Sequence, residues 1–266
     1  MSESWINMDS KVVAVTGGGS GIGAAIVAGL REAGATAVVI DVAVDTQLAD
    51  AADARVRADI TKADEIEAAF AAIEERFGRI DGLVNNAGIN LPRLLVDVVG
   101  AHPEYELSEK SFDLMFDVNV KGAFFAAQAA ARRMIAAGSG VIINVTSEAG
   151  LEGSQGQSAY SATKGALNGF TRSWGKELSP LGLRVVGVAP GINEPTGLTS
   201  PAYNEALAYT RGTTPDKLNT DYKKVIPLGR PSKHSEVADL VVYLLSDRAS
   251  YITGTTYAVT GGKSRG

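Results

Sequence analysis

The chain contains no cysteine. Disulfides, thiolate nucleophiles and cysteine-ligated zinc are therefore excluded. Histidine is almost as scarce: His102 and His234 are the only two in 266 residues, far apart and without ligand spacing, so no metal site is expected. No basic run occurs and the formal net charge is −5. Both argue against a nucleic-acid partner, because phosphate-backbone binding needs a basic face. No segment reaches the roughly twenty apolar residues needed to span a bilayer. The first eleven residues carry charges and no long apolar stretch, so no signal peptide is expected either. The expected home is cytoplasmic, with no membrane partner.

What is present is an ordinary globular composition, 45% hydrophobic and 21% charged, in a length that suits one large α/β domain over 1–266. Strand-like apolar runs at 11–16, 36–41, 55–58, 81–85, 140–146, 183–189 and 255–259 alternate with helical patterns at 21–34, 62–77, 109–137, 157–179 and 235–246. Such alternation predicts a parallel sheet covered on both faces. Right-handed crossovers then give the doubly wound Rossmann order 3-2-1-4-5-6, with ligands at the carboxyl ends of the strands. Two stretches exceed a minimal version of that plan, 90–108 and 192–226. Long loops in compact domains are often functional, and both are expected to act as variable substrate loops.

Three local patterns carry chemistry. The first is Val-Val-Ala-Val-Thr-Gly-Gly-Gly-Ser-Gly-Ile-Gly (12–23), a buried strand, a glycine turn and an amphipathic helix marked by Ile22, Ile26 and Leu30. Its glycines permit close backbone approach, and the helix N-terminus faces an anion such as a pyrophosphate. The spacing Gly17-x-x-x-Gly21-x-Gly23 differs from the Gly-x-Gly-x-x-Gly fingerprint. The second is Asp41, closing the run Ala-Val-Val-Ile about twenty residues on, where an acid binds ribose hydroxyls and repels a 2′-phosphate. No Arg or Lys occupies 18–20 or 42–44, so charge points to NAD rather than NADP. The third is Tyr160 and Lys164 at i and i+4, on one helix face, with Ser147 upstream at a strand end. A neighbouring ammonium favours the phenolate and lowers the tyrosine pKa, which suits Tyr160 to proton transfer.

Taken in order, these elements resemble the classical short-chain dehydrogenase/reductase family, and the likeness runs along nearly the whole chain. Thr16-Gly17-x-x-x-Gly21-x-Gly23 resembles its cofactor loop, which brings Gly19, Ser20 and Ile22 to the cofactor as well. Asp59, in Ala-Asp-Ile-Thr with Ile60, resembles the acid beside the adenine ring. Asn85-Asn86-Ala87-Gly88 resembles the Asn-Asn-Ala-Gly element lining the cofactor cleft. Asn119, Ser147, Tyr160 and Lys164 match the catalytic tetrad. Pro190-Gly191 resembles the turn that places the nicotinamide. The threonine expected five places after that proline is displaced by Pro195 to Thr196, and Gly187 stands where many relatives carry a larger residue.

The resemblance implies a seventh strand beside the sixth, a homotetramer built on the helices 109–137 and 157–179, and an NAD-dependent alcohol–ketone oxidoreductase. In that scheme Tyr160 exchanges the proton, Ser147 stabilises the substrate oxygen, Lys164 holds the nicotinamide ribose, and Asn119 holds a water that links Lys164 to solvent. The C-terminal third, especially 203–212, 226–230 and 261–266, resembles the branch that acts on sorbitol 6-phosphate, yielding fructose 6-phosphate. Arg93, Arg211 and Lys217 are the loop cations available to a phosphate. An unphosphorylated polyol or sugar, a 3-oxoacyl-thioester substrate, or a nucleotide-binding scaffold without turnover are the alternatives.

Overall fold

The computed structural model describes residues 5–197, 199–218 and 221–264. Leu198, Asn219 and Thr220 of the second long loop, and Arg265 and Gly266 of the closing run, lie outside the described residues. Seven strands form one parallel sheet: β1 (Val12–Thr16), β2 (Thr36–Asp41), β3 (Arg55–Arg57), β4 (Gly82–Asn85), β5 (Gly140–Val145), β6 (Leu183–Pro190) and β7 (Thr256–Val259). Their order is β3-β2-β1-β4-β5-β6-β7, the doubly wound arrangement with the seventh strand beside the sixth. The order reverses between β1 and β4, so their carboxyl ends diverge into a crevice.

Alternation along each strand builds two cores. Val12, Ala14, Val38, Ile40, Leu83 and Ile142 face one side, in a core shared with Phe70 and Ile73 of the helix Ala63–Phe77 and with the helix Ala123–Ala137. Val13, Val15, Val39, Val84, Ile143 and Val186 face the other, against Ile26 and Leu30 of α1 (Gly21–Glu32) and against the helix His234–Leu245. Buried on both faces, the inner strands need no polar alternation. In chain order the remaining helices are α2 (Ala63–Phe77), α3 (Glu109–Phe116), α4 (Ala123–Ala137), α5 (Ala149–Glu152), α6 (Ser158–Leu178), α7 (Pro201–Thr210), α8 (Tyr222–Val225) and α9 (His234–Leu245).

Two expectations need correction. The pattern 109–137 is not one continuous helix: a π turn at Asp117–Gly122 separates α3 from α4. Within it Gly122 sits against Ile60, where an added Cβ would lie 2.8 Å from the Ile60 carbonyl oxygen, so this close approach demands glycine. The stretch 192–226 is not all loop, since it contains α7 and α8. Ser200 caps α7 by accepting from the Tyr203 amide at 3.2 Å, and Pro201 occupies the first turn, a start signal present in the sequence. The other long segment, 90–108, folds against α7. The Tyr209 hydroxyl donates to the Asp97 carboxylate at 2.8 Å, and the rings of His102, Tyr105 and Tyr209 pack together.

Candidate active site

The glycine turn is locked to the end of β4. Thr16 is buried, and its hydroxyl accepts the amides of Asn86 and Ala87 at 3.1 Å each. In return the Asn86 side chain donates to the carbonyls of Thr16 and Gly17 at 3.1 and 3.0 Å. Gly17 has φ +63°, and a Cβ there would lie 2.8 Å from Ala87 Cα, so both conformation and space demand glycine. A Cβ on Gly23 would fall 2.1 Å from the Gly17 carbonyl oxygen; Gly23 therefore serves close packing of α1 on the turn. At the start of α1, Ser20 makes no side-chain cap and the first turn holds no acid. Its amides are left for an anion.

The carboxyl ends of six strands bound a cleft of about 700 Å³, lined from Asp41 and Asp59 at one end through Gly17, Gly21 and Asn86–Gly88 to Ser147, Tyr160, Lys164, Pro190 and Gly191 at the other. Five inter-strand spacings of about 4.8 Å make it roughly 24 Å long, enough for two linked nucleotides. Ser20, Ile22, Ile60 and Thr196 also line it. The Thr196 methyl lies 3.3 Å from where a Gly21 Cβ would be, so this segment crosses to the glycine turn despite the displaced threonine. Gly19, Gly23 and Asn119, also expected at the site, are not among the lining residues. Gly19 instead donates its amide to Asp41 at 3.2 Å, while the other Asp41 oxygen accepts from Ala43 at 3.0 Å. Asp59 accepts from the Thr61 amide and hydroxyl at 2.9 and 2.8 Å, and these bonds hold its carboxyl below the usual range.

Asn119 lies in the π turn, fully buried. Its side chain accepts from the Ile89 amide at 2.8 Å and donates to the Ile89 carbonyl and the Thr163 hydroxyl at 2.9 and 3.0 Å. Both of its N–H bonds are given to protein, and they brace the post-β4 loop against α6. Lys164, only 4% exposed, donates to the Val145 carbonyl at 2.8 Å.

Burial dominates the electrostatics of the Tyr160–Lys164 pair. Burial pushes the Tyr160 phenol up to about 12, opposed by a hydrogen bond with Ser147 and reinforced by the nearby Tyr203 and Glu148. Burial drops Lys164 to about 8, and its ammonium sits 5.9 Å from the centre of the Tyr160 ring. The lysine alone does not make the phenol acidic. In the protein by itself Tyr160 is a protonated donor at neutral pH.

Sequence reasoning missed the groups that flank this end. Glu148 follows Ser147 and pairs with Lys263 at 2.5 Å. Tyr203 receives hydrogen bonds from the side-chain amides of Asn90 at 3.2 Å and Gln157 at 3.0 Å. Arg57 was also missed: its Nε donates to the Val42 carbonyl at 3.2 Å, one residue beyond Asp41. Of the loop cations, Arg93 lies over the Tyr105 ring at 5.6 Å, Arg211 reaches Ser154 at 3.4 Å, and Lys217 is exposed. His102 is exposed, whereas His234 is part-buried against Glu194. The departure at Gly187 has a steric cause, because a Cβ there would lie 2.3 Å from the Thr256 hydroxyl.

Comparison with known proteins agrees with this architecture. The chain is 54% identical to sorbitol-6-phosphate 2-dehydrogenase of Klebsiella pneumoniae over 99% of both chains. It is 35% identical to a 3-oxoacyl-[acyl-carrier-protein] reductase of Thermotoga maritima, covering 97% of this chain and 99% of that one. The crystal structure of a 3-ketoacyl-(acyl-carrier-protein) reductase from Brucella melitensis complexed with NADH superimposes with a TM-score of 0.80 at 29% identity, over 97% of this chain and all of that one. The short chain dehydrogenase family model matches residues 11–206. The chain is thus an oxidoreductase and belongs to the short-chain dehydrogenase family.

Proposed function

We propose that the protein is an NAD-dependent dehydrogenase interconverting sorbitol 6-phosphate and fructose 6-phosphate. The observation that carries the substrate is the 54% identity, over essentially the full length, to a relative of that activity. The cleft fits a nicotinamide dinucleotide: its uncapped helix start suits a pyrophosphate, its length suits two nucleotides, and the Asp41 carboxylate at the end of β2 suits ribose hydroxyls. The charge of Asp41 disfavours a 2′-phosphate and so supports NAD. Gly17, Ser20–Ile22, Asp41, Asp59, Ile60, Asn86–Gly88, Pro190, Gly191 and Thr196 would hold the cofactor, which when bound supplies the hydride acceptor or donor.

The chain's own residues manage the proton and the oxygen. In the reductive direction the Tyr160 phenol donates its proton to the substrate oxygen as negative charge develops, and the Ser147 hydroxyl stabilises that oxygen. In the oxidative direction Tyr160 as phenolate takes the carbinol proton. Because its surroundings, burial foremost, push the phenol up to about 12, oxidation draws on positive charge brought near Tyr160, from Lys164 and from a cationic nicotinamide. Lys164 keeps N–H bonds beyond the one to Val145 for a ribose hydroxyl. Arg211 and Arg93 border the turn Ser154–Gln157 and are the candidates for the substrate phosphate.

The test is NADH formation with a panel of polyols and polyol phosphates, run beside NADPH consumption with an oxoacyl thioester. Fastest turnover of sorbitol 6-phosphate with NAD is expected. Preference for the thioester and NADPH would overturn the proposal, and preference for an unphosphorylated polyol would remove the phosphate from it.

A further inference from the structure

The side chains of Asn90, Gln157 and Tyr203 come from three separate elements: the segment after β4, the entry to α6, and α7. Tyr203 is half-buried and Gln157 is buried. Both amide groups donate to the Tyr203 oxygen. That oxygen is thus a double acceptor, and its own proton is donated to no described residue. Asn90 Oδ1 is buried and lacks a hydrogen-bond partner among the described residues. One donor and one acceptor are left over within a single cluster. Buried polar atoms in native proteins are nearly always paired, with protein, water or ligand, and an unpaired acceptor beside an uncommitted donor suits a small group that both donates and accepts. The group that satisfies both at once is an alcohol, which donates and accepts through one oxygen. A methylene of an acyl chain satisfies neither.

The cluster adjoins the reacting end of the cleft without lining it, and Tyr203 is near enough to Tyr160 to act on its phenol. Gln157 precedes Tyr160 by three residues, and Ile89, next to Asn90, lines the cleft. We propose that Asn90, Gln157 and Tyr203 form a specificity subsite for a hydroxyl on the substrate carbon chain beside the carbinol that reacts. This inference rests on the polyol reading above and deepens it by naming the residues that tell a polyol from an acyl chain. Asn90 Oδ1 is enclosed, so the hydroxyl reaches it on a local opening of this cluster that keeps the Tyr203 phenol as its donor.

The experiment pairs protein and substrate deletions. Wild type, Tyr203→Phe and Asn90→Ala are assayed with the preferred polyol substrate and with an analogue lacking the hydroxyl next to the reacting carbon. NADH affinity, read by fluorescence, reports whether each variant keeps an intact cofactor cleft. Each variant is expected to raise KM for the polyol by about tenfold, the effect of one buried hydrogen bond left unmade, with kcat and NADH affinity held. The deoxy analogue should be about tenfold weaker with wild type and no weaker than the full polyol with either variant. If the deoxy penalty persists unchanged in both variants, the subsite assignment is wrong while the polyol reading stands. If wild type turns over no polyol at all, both are overturned. Loss of NADH affinity in the variants would reduce the cluster to a structural role and overturn the assignment as well.

Discussion

At the scale of single residues, Tyr160 and Lys164 titrate well away from where each would in water. Lys164, depressed from 10.5 to about 8, binds its proton less readily in the folded protein than in the unfolded chain. Stability therefore rises as pH climbs from about 8 toward 10.5. Tyr160, raised from 10.0 to about 12, works the opposite way, and stability falls between those values. The cofactor-free protein should gain in Tm between pH 8 and 9.5, and Lys164→Met should abolish that gain. A thermal melt series across pH reads the difference; an identical slope in the variant would show that the lysine is not desolvated. Tyr160→Phe should lower kcat by about 10²–10⁴-fold with NADH affinity intact. Glu148 adds to the rise at Tyr160, and Lys263 is its counter-ion. Lys263→Met should accordingly move the rising limb of the kcat–pH profile for alcohol oxidation to higher pH, and Glu148→Gln should move it lower. Equal profiles for the two variants would disprove the coupling.

At the scale of elements, the turn between β1 and α1 works only because two backbones touch. Gly23→Ala would drive a methyl into the Gly17 carbonyl. It is expected to cost about 1–3 kcal/mol in chemical denaturation and to weaken NADH binding more than tenfold. Deeper in the sheet, Asn85 donates to Asn144 at 3.0 Å and Asn144 to Thr171 at 2.9 Å, tying β4, β5 and α6 through buried polar groups. Features like the glycine turn were legible in the sequence because their causes are local: a strand run, a cluster of glycines and an amphipathic period lie within a dozen residues. The same holds for Tyr160 and Lys164, one turn apart. The π turn was not legible, since the apolar period continues through it and the close approach of Gly122 to Ile60 joins residues far apart in sequence. The Ala-rich α7 hid within a segment that its length marked as loop, although Ser200-Pro201 announced it. The Asn90–Gln157–Tyr203 cluster spans 113 residues of sequence, and no spacing rule joins its members.

At the scale of the whole molecule, α4 and α6 present an aromatic face. Phe124 packs on Phe170 with ring centres 5.7 Å apart, and Phe170 stacks on Trp174 at 4.7 Å. An apolar helix surface of this kind is either buried within the chain or covered by a partner. We expect a homotetramer, so light scattering after size exclusion should give four times the monomer mass, and a monomer would refute it. The cross-link between the two variable segments, Asp97 to Tyr209 with its three packed rings, bears on how such enzymes diversify. Grafting either segment alone onto a relative would strand a carboxylate or a phenol without its mate. A chimera designed to transfer substrate preference must exchange 90–108 and 201–211 as one inherited unit.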